Sequence, residues 1–137
     1  GRGTVYALGA RGGSPTLRNL LRDEQRFLPL YEVDLKVAAL SAVEETEEHL
    51  LWISLHLDVI EPHLVPGVTA VGPGGASLAA LRHALEVIPG KRVIGFEIVG
   101  YPSLKENRNS LLALTGAELL RDNILTWWGL DEKKGGW

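Results

Sequence analysis

Ser54, His56 and Asp58 stand two residues apart in the stretch Ser-Leu-His-Leu-Asp-Val-Ile-Glu-Pro, residues 54–62. Strand side chains alternate between faces, so this spacing puts all three on one side, with His56 and Asp58 about 6 to 7 Å apart along it. An imidazole and a carboxylate so placed can join a hydrogen-bond network or donate to a metal ion. Buried without partners, either would be costly. The preceding Leu50-Leu51-Trp52-Ile53 is an apolar run of the kind a parallel strand covered on both faces requires. In open α/β sheets ligands collect at the carboxyl ends of strands, which is where His56 and Asp58 fall. They are the candidate metal ligands.

Other polar groups read more plainly. Glu44, Glu45, Glu47 and Glu48 precede His49 at the end of a helical pattern. Consecutive helical residues fan around the axis, so such a run is a solvated face, and His49 suits the negative end of the helix dipole. His63 lies in a loop, and His83 faces away from the apolar stripe of its helix. Arg11-Gly12-Gly13 before Ser14-Pro15 makes a Gly-rich strand-to-helix turn that can cradle an anion, but no Walker Lys-Ser/Thr follows, and it reads as a connection.

The elements that must position these residues alternate. Thr4 to Ala10 reads as a buried strand, followed by a helix capped at Ser14 and running to about Gln25. Phe27 to Val33 reads as a second strand, and Asp34 caps a helix carrying Leu35, Val37, Ala38, Leu40 and Val43. After the central strand, Val59 to Gly75 forms a proline-bearing loop expected to be ordered. Ser77 caps a helix with Leu78, Leu81, Leu85 and Ile88, closed by Pro89-Gly90. Lys91 to Val99 is the fourth strand, and a last helix runs from about Asn107 to Trp128. Its Trp127-Trp128 pair is expected to pack a core or an interface. Such alternation predicts an α/β fold, a doubly wound and mainly parallel sheet with helices on both faces. Residues 1–130 read as one domain and 131–137 as a loose tail.

Composition narrows the function classes. At 137 residues, 45% hydrophobic and 23% charged, the chain has the make-up of a soluble globular domain with a real core. Its net charge of -3 and scattered basic residues give no pull toward nucleic acid. It has no cysteine, which excludes disulfides, thiolate zinc sites and a cysteine nucleophile. No apolar run long enough for a membrane span and no signal peptide is read, so the cytoplasm is the expected location. A start without Met leads to the expectation of a processed or excised chain.

The central stretch resembles the signature of the ureohydrolases, the family of arginases, agmatinases and formiminoglutamases. That signature reads Ser-Phe-Asp-x-Asp-x-x-Asp-Pro, then about ten residues with Pro and Thr-Gly-Thr-Pro, then Gly-Gly. Ser54, Asp58, Pro62, Pro66, Gly74 and Gly75 fall on matching positions without gaps. The family's first Asp is His56 here, its third is Glu61, and Thr69-Ala70-Val71-Gly72 replaces Thr-Gly-Thr-Pro. Gly9-Ala10-Arg11 is weakly similar to the family's Gly-x-Arg.

The resemblance implies the second half of an arginase-like fold. It also implies hydrolysis of a guanidino-type C–N bond at two manganese ions, which lower the pKa of a bound water so that hydroxide attacks the central carbon. The family's Asp-x-x-Glu-x-x-Pro is matched by Glu97 to Pro102 only with one deletion, and no carboxylate falls at the guanidinium position. Its Gly-Gly-Asp-His and Asp-Ala-His-x-Asp metal motifs belong before Gly1. Three readings therefore stand: a manganese-dependent hydrolase when complete, a non-catalytic half-fold that assembles with another chain, and a small-molecule-binding α/β module by fold analogy. The family is typically trimeric or hexameric, and an unpaired strand edge recruits partners. A homo-oligomer or a complex with a complementary chain is expected.

Overall fold

The computed structural model describes residues 4–10, 14–16, 19, 27–29, 34–65, 67–68, 73–101 and 111–129. In chain order its elements are β1 (Ala7–Ala10), β2 (Phe27–Pro29), α1 (Leu35–Glu45), β3 (Leu51–His56), α2 (Leu78–Glu86), β4 (Val93–Val99) and α3 (Leu111–Trp128). The strands form two parallel pairs, β1 with β2 and β3 with β4. The expected α/β alternation is what the structure shows. Pro15, Thr16 and Asn19 are helical, as the Ser14-Pro15 cap implies. The stretch from Leu30 to Val33, the start of the last helix near Asn107 and the tail 131–137 lie outside the described residues.

α1 and α2 each begin where the sequence supplies a cap. Asp34 Oδ1 accepts from the backbone N–H groups of Lys36 and Val37 at 2.9 and 3.2 Å, and Ser77 Oγ accepts from Ala80 N–H at 3.1 Å. These side chains satisfy amides that have no partner inside the helix. α1 buries Leu35, Ala38, Ala39 and Ala42. Leu35 and Ala39 form a small core with Ala76 and Ala84, onto which Leu8 and Val87 pack. The expected stripe included Val37 and Leu40, but these are 59% and 38% exposed. The alanines, with little side chain, let α1 lie close to α2, and that choice of face turns Val37 and Leu40 outward.

The larger core joins Leu55, Leu57, Ile60, Val65 and Val68 to Leu81 and Leu85 of α2, Val93 of β4, and Leu112, Leu119 and Trp127 of α3. Burying one such leucine contributes about 1.5–3 kcal/mol. Ile53, Phe96 and Ile98 pack against it, so one face of the β3–β4 pair is covered. The other face carries Trp52, Ser54, His56 and Glu97, and all four are exposed. The expectation of a central strand covered on both faces is therefore corrected: among the described residues, the helices packed on this pair lie against one face. α3 closes with two tryptophans in different roles. Trp127 is buried, donates Nε1–H to Leu85 O at 3.2 Å and meets Phe96 edge-on at 5.2 Å. Trp128 is half exposed and donates Nε1–H to Val93 O at 3.3 Å. On the surface Arg82 pairs with Glu118 and Asp122 across α2 and α3. The Arg121 guanidinium is raised above its ordinary value by its hydrogen bond to Asp122 and then by that carboxylate's charge.

Arg92 is buried at 7% exposure. Its guanidinium donates to His49 O at 2.8 Å, Val43 O at 3.2 Å and Thr46 Oγ1 at 2.8 Å. Those acceptors lie at the end of α1 and just before β3, where helix carbonyls lack partners and favour a cation. One side chain thus fastens α1, β3 and the start of β4. Arg92→Met, which keeps the stem and removes every donor, is expected to cost about 1–3 kcal/mol because it leaves three part-buried acceptors without their donor. Urea denaturation should show a lowered midpoint, whereas an unchanged midpoint would mean that water replaces the guanidinium without loss.

Candidate functional site

The carboxyl end of β3 is built by its ladder to β4. Ser54 pairs with Glu97, Leu55 with Ile98 and His56 with Val99. Leu55, buried at 6%, faces the core, so the alternation of a strand turns Ser54 and His56 to the open side. The strand ends at His56. A single 3-10 turn, Leu57–Val59, follows, closed by Ile60 N–H donating to Leu57 O at 3.2 Å. Leu57 and Ile60 are 1% and 0% exposed, and their burial holds the turn against the core.

That turn changes where Asp58 goes. Ser54 and His56 share a strand face as expected, but Asp58 sits on the turn, half-buried, and no longer follows the strand alternation. His56 is exposed rather than buried. The apolar residues on both sides of Asp58 are the cause, because two large side chains three residues apart can both reach the core only if the chain curls.

The loop after the turn is clipped back onto it. Ala76 N–H donates to Val59 O at 2.8 Å and Glu61 N–H to Ala76 O at 3.1 Å, an isolated parallel bridge between Ile60 and Ala76. Gly75, with φ of 155°, lies against the Glu61 backbone so closely that a Cβ there would overlap it. The Gly74-Gly75 position thus has a mechanical purpose, to let one backbone pass over another. Val65 and Val68, at 0% and 3% exposure, anchor the described part of the loop; Pro66 and residues 69–72 lie outside the described residues. His63 is exposed, 3.8 Å from the Glu61 carboxylate.

Glu97 stands beside Ser54 on the open face, two residues before the end of β4. Glu44, Glu45, Glu47, Glu48 and His49 are all exposed, as a solvated face should be, and the His49 ring Nδ1 lies 2.7 Å from Thr46 O. His83 is at the surface. Among the described residues no three His, Cys, Asp or Glu side chains form a group that could hold a metal ion. His56 and Asp58 supply one nitrogen and one carboxylate beside open solvent. They do not by themselves fit a two-manganese centre, which needs several more donors. Sequence reading also passed over Trp52. It is 63% exposed on the same face as Ser54 and His56, with its indole resting on Gly95, where a Cβ would overlap the ring. An isolated glycine inside an apolar strand is the signal that points to such a close approach.

Comparisons with known proteins follow this geometry. A sequence model of the Arginase family matches residues 2–125. The mitochondrial arginase of Medicago truncatula is 26% identical over 72 residues, which is 53% of this chain and 21% of that protein. Among solved structures, the agmatine ureohydrolase of Thermoplasma volcanium has a TM-score of 0.70 at 24% identity, covering 98% of this chain and 46% of its own. The arginase from Bacillus subtilis has a TM-score of 0.69 at 22% identity, covering 85% and 43%. The chain therefore spans about a fifth of the plant arginase and less than half of each of these two structures.

The donor set leads to a first metal experiment. Manganese is expected to bind the purified chain weakly, with water filling most of the coordination sphere. Equilibrium dialysis should show that His56→Ala and Asp58→Ala each weaken that binding severalfold. Binding unchanged by both substitutions would remove these residues as ligands.

Proposed function

This chain belongs to the Arginase family, matched over residues 2–125, and on that premise we propose that it is one part of a ureohydrolase fold. Hydrolysis of a guanidino-type C–N bond then belongs to the completed fold, with manganese as its ion. The names of the similar structures, arginase, agmatine ureohydrolase and proclavaminate amidino hydrolase, support guanidino or amidino compounds as the substrate class. The observation that carries the proposal is the open carboxyl end of β3. His56 and Asp58 occupy the positions of signature carboxylates, yet the described residues bring no third His, Cys, Asp or Glu to them. Hydrolysing a guanidinium needs an activated water and a carboxylate facing the cation, and one imidazole with one carboxylate on an open strand end meets neither need alone. The remainder of the fold, on the same polypeptide or another, would supply the rest.

Glu97 favours a second reading. Its place beside Ser54 takes it away from the strand end, and together with His56 in place of an Asp it suits a relative that keeps the architecture for assembly and has given up turnover. Joining the chain to the rest of the fold separates the two readings. Urea released from arginine or agmatine, lost with Asp58→Ala, supports the hydrolase; an assembled but silent protein supports the non-catalytic relative. For the 137-residue chain alone, no urea above background is expected with either substrate in the presence of manganese. Manganese- and Asp58-dependent release by that chain would contradict the proposal.

A further inference from the structure

The ladder regroups the polar side chains at the carboxyl ends of β3 and β4. Residues paired across neighbouring parallel strands point to the same face, so Ser54 with Glu97 and His56 with Val99 make two successive rungs on the open side. Neighbouring strands lie about 4.8 Å apart and two residues advance about 6.6 Å, which puts the Cα atoms of His56 and Glu97 about 8 Å apart on the diagonal. Side chains as long as histidine and glutamate span such a diagonal. Asp58 has left this face, because it sits on the 3-10 turn Leu57–Val59, and it is already engaged. The carboxylate that shares a face with the His56 imidazole is therefore Glu97, from the neighbouring strand.

Both groups are exposed, and neither has a hydrogen-bond or ion-pair partner among the described residues. His63 and Glu61 are in ion-pair contact at 3.8 Å, whereas His56 and Glu97 are not. An imidazole nitrogen and a carboxylate oxygen that face one space without touching leave room for an ion, whose bonds to such donors are about 2.1 Å long. Ser54, beside Glu97, adds a hydroxyl to the same rungs. Imidazole suits zinc, copper and nickel, while manganese prefers oxygen donors. We infer that His56 and Glu97 form a cross-strand site for a single divalent ion of the first kind, nickel, copper or zinc, with water completing its coordination. The site needs no residue outside the chain, and its carboxylate is not that of the His56–Asp58 pair considered for manganese. An ion held there ties the carboxyl ends of β3 and β4 to each other.

Nickel titrated into the purified chain, without an affinity tag, and followed by amide NMR tests the site. Paramagnetic broadening should begin at residues 54–56 and 97–99 together. Glu97→Gln and His56→Gln should each weaken nickel binding by about tenfold or more, since even partners outside the coordination shell count on that scale. Asp58→Asn should leave nickel binding unchanged, so that nickel and manganese are told apart by the acid each needs. Both substituted side chains are exposed, and metal-free thermal unfolding should match that of the unsubstituted chain. Broadening centred on His63 and Glu61, the pair already in contact, or on His49 or His83, would overturn the inference. So would nickel binding that Glu97→Gln leaves intact, and binding that depends on Asp58 in place of Glu97 would return the ion to the pair read from the sequence.

Discussion

Arg92 is the cation on which this arrangement of helices and strands depends. A guanidinium taken out of water is costly unless its donors are met, and here it donates to two backbone carbonyls and a hydroxyl at the end of α1 and the approach to β3. The next residue, Val93, opens β4 and pairs with Leu51. The same interaction therefore neutralises the unpaired end of a helix and fixes where the β3–β4 ladder begins. Everything at the carboxyl end of β3, including the pairing of Ser54 with Glu97 and of His56 with Val99, is counted from that starting point and from the bulge beside it.

The ladder then determines what chemistry the chain can offer. Leu57 and Ile60, three residues apart, both bury, and this ends the strand at His56 and throws Asp58 onto a turn. The backbone clip through Ala76, possible because Gly75 lets Glu61 pass, holds that turn in place. The polar groups are thus well positioned but few, and they face solvent together with Trp52. Among the described residues, a firm scaffold with few donors and one sheet face that carries no helix is what the part-fold proposal calls for.

Much of this was legible in the sequence. The caps at Asp34 and Ser77, the stripe of α2, the parallel strands and the match of residues 54–75 to the ureohydrolase signature all rest on local patterns, and local patterns survive folding. What was not legible depended on contacts between distant residues. Nothing in Gly90-Lys91-Arg92 distinguishes a buried arginine from a surface one, because its acceptors lie more than forty residues earlier. The apolar Leu50 to Ile53 run suggested burial on both faces, but a run cannot say whether the covering element lies in the same stretch of chain. Asp58 was placed by extending strand alternation one step too far, into residues whose own burial requires a turn. The division between Trp127 and Trp128 followed from the rotation of α3 against β4, which the doublet alone does not specify.

The central claim is that this chain holds only part of a ureohydrolase centre. Metal analysis of the purified 137-residue protein, equilibrated with manganese and then freed of loose ions by gel filtration, tests it most directly. The account predicts a retained load well below one ion per chain. A stable load of two manganese ions per chain would contradict it, because the chain would then hold a complete centre of its own.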